Sequence, residues 1–153
     1  MNIDLICVGN LKESYLKDGV KEYLKRLGSY AKVNIVEIPE TNKGSVEEIK
    51  AEEGERILKK IKGDSYVIPL VIQGKNIRSE ELADLISEVT TYKSSSITFI
   101  IGGSHGLEDE VIKKGDFLLS FSKFTFPHQL MRLILIEQIY RSMKIIKNEQ
   151  YHK

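Results

Sequence analysis

Residues 99–153 read FIIGGSHGLEDEVIKKGDFLLSFSKFTFPHQLMRLILIEQIYRSMKIIKNEQYHK, and the reading of this stretch decides the fold. Its first residues close the apolar run Ile97–Ile101, the kind of strand that is covered on both faces of a parallel sheet. Gly102, Gly103 and Gly106 make a turn, followed by a short helix and a strand containing Phe117–Leu119. The loop Phe121–Phe126 leads to Pro127, which suits the first position of a helix predicted to run to about Lys147. In an open α/β sheet, ligands bind beyond the carboxyl ends of the strands. One Gly-rich and one polar loop at that edge suit a nucleotide-like ligand, because glycine lets backbone N–H groups come close. A tight turn with no ligand is the plainer alternative.

Upstream, strands alternate with helices. Asn2–Gly9 reads as a short strand, and Asn10 with Glu13 as the capped start of a helix. That helix places Leu16, Val20, Tyr23, Leu24 and Leu27 on one face and ends at Gly28. Val33–Ile38 is a strand stopped by Pro39, and Glu40–Gly44 a polar loop. Ser45 and Glu48 form a capping box for a helix to about Lys62, with Ile49, Ile57, Leu58 and Ile61 inward. Tyr66–Ile72 is a strand ending in the turn Gln73-Gly74-Lys75, and Ser79 is expected to cap a helix with Glu80 and Glu81 in its first turn. The pattern predicts an α/β fold, a mainly parallel sheet flanked by helices, in one domain over 1–153.

Composition narrows the class. With 153 residues and 41% hydrophobic content, the chain can bury a sizeable core. No signal-peptide pattern opens it and no apolar run has the length of a membrane span, so a cytoplasmic protein without membrane or metal partners is expected. The single Cys7 lies in an apolar strand and reads as a buried thiol rather than a nucleophile. Net charge is +1, yet residues from Lys113 onward carry eight Lys/Arg against three Asp/Glu. This local excess fits a polyanionic substrate, or else a solvated helix face.

Three ligand motifs can be tested on the glycine turn. The spacing G-G-x-x-G fails the dinucleotide fingerprint, and no Walker A loop occurs. Gly102-Gly103-Ser104-His105-Gly106 does match the nucleophile elbow G-x-S-x-G, with Asp116 and His128 following in hydrolase order, so a serine hydrolase using Ser104 is one alternative. A non-catalytic RNA-binding module is another. Leu130, Met131, Leu133, Ile134, Leu135 and Ile136 make the last helix apolar nearly all round. Its second buried side is expected to face another copy of the chain in a homodimer.

Ile101–Leu107, the segment LSFSKFTFPHQLMR (119–132), Glu137–Arg141 and the terminal Tyr151-His152-Lys153 together resemble the RlmH (YbeA) family of small SPOUT-class ribosomal RNA methyltransferases. The resemblance extends to Val8–Lys12 and Gln73-Gly74-Lys75. It implies a C-terminal trefoil knot spanning about 66–153 and S-adenosylmethionine held by Leu70, Gly102, Gly103 and Phe121, Ser122, Lys123, Phe124, Thr125 and Phe126. The implied reaction is methylation at N3 of pseudouridine 1915 of 23S rRNA in the assembled 70S ribosome by a homodimer. The tail would help complete the partner's active site. His128, Arg141, Tyr151 and His152 are then the expected catalytic residues, and Lys123, Arg132 and Lys153 the expected RNA contacts. Methyl transfer needs in-line alignment, and the target nitrogen must lose a proton, for which His128 and His152 are candidates.

Overall fold

The alternation of side chains along the two central strands sorts the core into two layers. The computed structural model describes residues 1–153. In β1 (Asn2–Val8), Ile3, Leu5 and Cys7 enter one core cluster, and Ile6 and Val8 enter the other. In β4 (Ser96–Ile101), Ile97, Phe99 and Ile101 join the first and Ile100 the second. This is the period-two pattern of a strand covered on both faces. Helices α1 (Ser14–Leu27), α3 (Ser79–Tyr92) and α5 (His128–Ile146) cover the larger cluster. The smaller one lies beneath α2 (Val46–Leu58) and α4 (Asp109–Lys113).

With β2 (Lys32–Ile38), β3 (Tyr66–Asn76) and β5 (Leu119–Ser120), the strands form one five-stranded sheet in the order β2-β1-β4-β3-β5. Every pairing is parallel, as expected. The sheet buries one carboxylate on β1, and it is matched. Asp4, 3% exposed, accepts a hydrogen bond from Asn34 Nδ2 at 3.1 Å and pairs with Lys62 Nζ at 3.2 Å.

The Ser45–Glu48 capping box forms as read: Glu48 N donates to Ser45 Oγ at 3.1 Å and Ser45 N to Glu48 Oε1 at 3.2 Å. Two other expected caps do not form. Asn10 does not start α1, which begins at Ser14 behind Glu13. The intervening loop is held instead by tertiary contact, Lys12 N donating to Gln129 Oε1 at 3.0 Å. Ser79 lies inside α3 rather than capping it, and its hydroxyl donates to Gln138 Oε1 on α5 at 2.6 Å. Helix α2 also ends earlier than expected, with Leu58 followed by a capping Lys59.

The expected turn at Gln73–Lys75 is strand. Leu119 is in register with both Leu70 and Lys75, so residues 71–74 bulge out of the ladder before β3 resumes. Gly74 allows it: a Cβ there would lie 2.8 Å from Leu118 O and from Leu119 C, and Lys75 N donates to Leu118 O at 2.9 Å. Gly74→Ala is therefore expected to lower stability by about 1–3 kcal/mol in urea denaturation, since backbone cannot retreat as a side chain would. A midpoint unchanged from wild type would contradict this close approach.

Cys7 is 1% exposed, and burial pushes its thiol from 9.0 up to about 11, opposed by the nearby Arg132. The native thiol is thus held protonated, while the unfolded chain ionises first. Its contribution to stability is complete below pH 9.0 and is lost as pH rises towards about 11. The stability difference between wild type and Cys7→Ala should shrink across that window, and native Cys7 should resist thiol reagents until the chain unfolds.

Candidate functional site

The carboxyl ends of β3, β4 and β5 and the first turn of α5 enclose a cavity of about 780 Å³. That volume is within the usual range for small-molecule sites, roughly 300–1,000 Å³. One wall is the glycine turn. Gly106, at φ +85°, donates its N–H to Gly103 O at 3.1 Å, and a Cβ on Gly102 would come 2.9 Å from Gly106 C. Gly102 therefore leaves no room for a Cβ, and the left-handed φ at Gly106 favours glycine there. The opposite wall is the second loop, turned by Phe124 N donating to Ser122 Oγ at 3.0 Å and Ser120 Oγ donating to Ser122 O at 3.0 Å.

Of the residues expected to hold a cofactor, Leu70, Gly102, Gly103, Phe121, Ser122, Phe124, Thr125 and Phe126 all line this cavity. Lys123 does not and is exposed to solvent. Sequence reasoning missed Val71–Gln73, which the β3 bulge turns into wall, and Lys50, which α2 brings over from the other layer. Position at a strand end could have flagged the former; nothing local to α2 signals the latter. Apolar side chains such as Leu70, Ile101, Phe121 and Met131 alternate with hydroxyls and backbone groups, and no Asp or Glu lines the space. This wall suits a small ligand with apolar faces and hydrogen-bonding edges.

The expected catalytic residues fall in two places. His128 lines the cavity, with its Nε2 buried and without a hydrogen-bond partner. Glu40 Oε1 lies 3.4 Å away, close enough for an ion pair but not in hydrogen-bond alignment. Arg141, Tyr151 and His152 form a separate network at the far end of α5. Arg141 Nη2 donates to Glu137 Oε2 at 2.8 Å, Tyr151 OH donates to the same oxygen at 2.8 Å, and the Arg141 guanidinium lies 4.7 Å above the Tyr151 ring. Tyr151 OH also meets Tyr23 OH at 3.3 Å.

His152 joins Arg141 Nη1 at 3.1 Å through Nδ1 and Glu80 Oε1 at 2.6 Å through Nε2. Since the guanidinium can only donate, Nδ1 is the acceptor and Nε2 carries the proton. Burial, with the bonds to Tyr23 and Glu137, raises the Tyr151 phenol above its ordinary range, and the Glu137 bond raises Arg141. Thirteen positions along α5 separate Arg141 from His128, about 20 Å at 1.5 Å per residue. Within one chain the tail does not line the cavity.

Arg132, expected to contact RNA, is 2% exposed. Its Nη1 donates to Glu37 Oε2 at 2.7 Å and its Nη2 to Gly9 O at 3.1 Å, so it ties α5 to the ends of β1 and β2. Lys153 is exposed at the terminus. The serine-hydrolase alternative fails on geometry. A nucleophile elbow strains its serine, but Asn148 is the only non-glycine residue at positive φ, and only the five-residue α4 follows. Asp116 Oδ2 accepts a hydrogen bond from Val67 N at 2.8 Å near the start of β3, at the other end of the sheet. No group of three His, Cys, Asp or Glu side chains is placed to hold a metal, and no helix is long and apolar enough to cross a membrane.

A family model described as "Predicted SPOUT methyltransferase" matches residues 1–152. The chain is 56% identical to Ribosomal RNA large subunit methyltransferase H of Alkaliphilus oremlandii (strain OhILAs), and 52% identical to the protein of that name from Carboxydothermus hydrogenoformans (strain ATCC BAA-161 / DSM 6008 / Z-2901), each over the whole of both chains. Its fold is shared by a probable methylase family protein from Haemophilus influenzae Rd KW20, at a TM-score of 0.56 and 17% identity, covering 99% of this chain and 70% of that one. With the parallel sheet, the cavity where its two loops meet and a family match that leaves out only the last residue, the chain belongs to the SPOUT methyltransferase family.

Proposed function

We propose that this chain transfers a methyl group from S-adenosylmethionine to a base of large-subunit ribosomal RNA and works as a homodimer. The observation that carries the reading is the convergence of Gly102–Leu107 and Phe121–His128 on one cavity. Large-subunit ribosomal RNA is the substrate named for the relatives that match over their whole length. The finer target, N3 of a pseudouridine in the assembled ribosome, rests on the motif resemblance. The C-terminal knot belongs to the same reading, supported by the backbone contact of Leu118 with Gly74 and by the shared wall of the two loops.

Leu70, Gly102, Gly103 and the loop Phe121–Phe126 would hold the cofactor, which supplies an electrophilic methyl on a sulfonium. The chain's part is to bring the base in line with that methyl and to take up its N3 proton. His128 lines the cavity, and its buried, unbonded Nε2 lies 3.4 Å from Glu40 Oε1, so this imidazole is placed to hold a proton. Exposed Lys114, Lys123, Lys147 and Lys153 have no ion-pair partner and are available to phosphates, whereas the Arg132, Arg141 and Lys144 charges are paired.

Two features support the dimer. Leu130 and Ile134, one turn apart on α5, are only partly covered and belong to neither core cluster. The Arg141–Tyr151–His152 network, built but remote from its own cavity, reaches a cavity if a second copy packs along α5.

Ribosomes from a strain lacking this protein should take up label from methyl-labelled S-adenosylmethionine when the protein is added, and Ser104→Ala should keep that rate within about twofold. Label in neither ribosomes nor free rRNA would overturn the reading. Removing residues 151–153 should lower the rate on the order of 10²-fold while cofactor binding persists. Mixing that truncated chain with a His128→Ala chain should restore about a quarter of wild-type activity, because half the dimers then hold one complete site. No recovery would place the tail's action within its own subunit.

A further inference from the structure

Behind the glycine turn lies a buried carboxylate. Glu53 on α2 is 4% exposed. Its Oε2 accepts a hydrogen bond from Thr41 N at 3.0 Å, but its Oε1 is buried with no donor. An unsatisfied buried oxygen is costly and calls for a physical account. The carboxylate is held in place from outside, since Arg56 Nη1 donates to Thr41 Oγ1 at 2.7 Å and to Pro39 O at 3.0 Å, fixing the loop that bonds Oε2.

The unpaired oxygen faces Gly103. A Cβ built there would lie 3.2 Å from Oε1 and 3.6 Å from Oε2, with Val8 Cγ1 at 3.0 Å. Gly103 also lines the cavity, so the carboxylate abuts a glycine of the cavity wall with no side chain of that residue between them. The charged and titratable side chains lining that space are Lys50, His105 and His128, with no acid among them. Glu40 reaches it only from behind His128. A cavity for a positively charged ligand therefore draws negative potential from behind its wall, where low dielectric strengthens a buried charge.

We propose that Glu53 is a specificity-determining residue that acts through the Gly103 backbone to favour the sulfonium form of the cofactor over its neutral thioether product. The inference rests on the S-adenosylmethionine reading. Donor and product share the same amino-acid arm, for whose carboxylate Lys50, one turn before Glu53 on the same helix, supplies the cation. They differ in charge at sulfur, so a carboxylate near that end discriminates between them. Methyl transfer then loosens the ligand by removing the charge that Glu53 holds, which helps the product leave.

The test is calorimetric titration of wild type and Glu53→Gln with S-adenosylmethionine and with S-adenosylhomocysteine. The amide oxygen of glutamine keeps the bond from Thr41 N, so the substitution removes charge with little change of shape. The expected result is at least about fivefold weaker binding of the methylated ligand, with the demethylated ligand within about twofold of wild type. Equal weakening of both would assign Glu53 to support of the turn and overturn the inference, as would no change in either. Glu53→Asp keeps the charge but withdraws it from Gly103, and its preference should lie between the two. An Asp variant with wild-type preference counts against the proposal even if the Gln variant fails to fold. Wild type binding neither ligand would instead refute the cofactor reading.

Discussion

The site depends on a two-residue strand. Leu119 and Ser120 pair with β3 at the edge of the sheet, and that contact sets where the chain leaves the sheet before entering the second loop. So short a strand has little pairing energy of its own. It is held because Gly74 admits the Leu118 backbone at contact distance and because Leu119 is fully buried. The same contact bends residues 71–74 outward, so one constraint builds two walls: the bulge on β3 and the loop after β5. The glycine turn after β4 supplies the third, and the cavity is the space left among them.

Charge is distributed around this cavity in an ordered way. Its lining carries no acid, while carboxylates stand just outside it at Glu53 behind Gly103 and Glu40 behind His128. The basic excess of the C-terminal third is partly neutralised within the fold. Arg132 is spent on Glu37 and the Gly9 carbonyl, Arg141 on Glu137, and Lys144 on Glu149. What is left for a polyanion is a set of exposed lysines, whose contribution is long-ranged and sensitive to salt.

Helix α5 separates the residues expected to be catalytic between its two ends. His128 stands at the cavity with an unbonded nitrogen, and Tyr151 and His152 are pinned at the opposite end to Glu137, Tyr23 and Glu80. Tyr151 and His152 are thus fixed by polar contacts to residues distant in sequence, while Lys153 is exposed.

Much of this was legible in the residues. The apolar runs at Ile97–Ile101 and Tyr66–Ile72, with helical periodicity between them, determined a parallel α/β sheet, because strands covered on both faces leave that pattern in any sequence. The Gly102–Gly106 turn and the Phe121–Phe126 loop, placed after strands, marked the ligand edge, and the terminal motifs carried the family. Tertiary structure alone decided that Arg132 is a buried tie rather than an RNA contact, that Asn10 and Ser79 do not cap, and that Gly74 is strand. Each of these turns on a partner distant in sequence: Glu37, Gln129, Gln138 or Leu118. Local pattern reports what a residue prefers next to its neighbours. Which distant group it meets is settled by packing, and so Lys50 came to line the cavity and Glu53 to stand behind Gly103, both from a helix of the other layer, without any signal in the sequence.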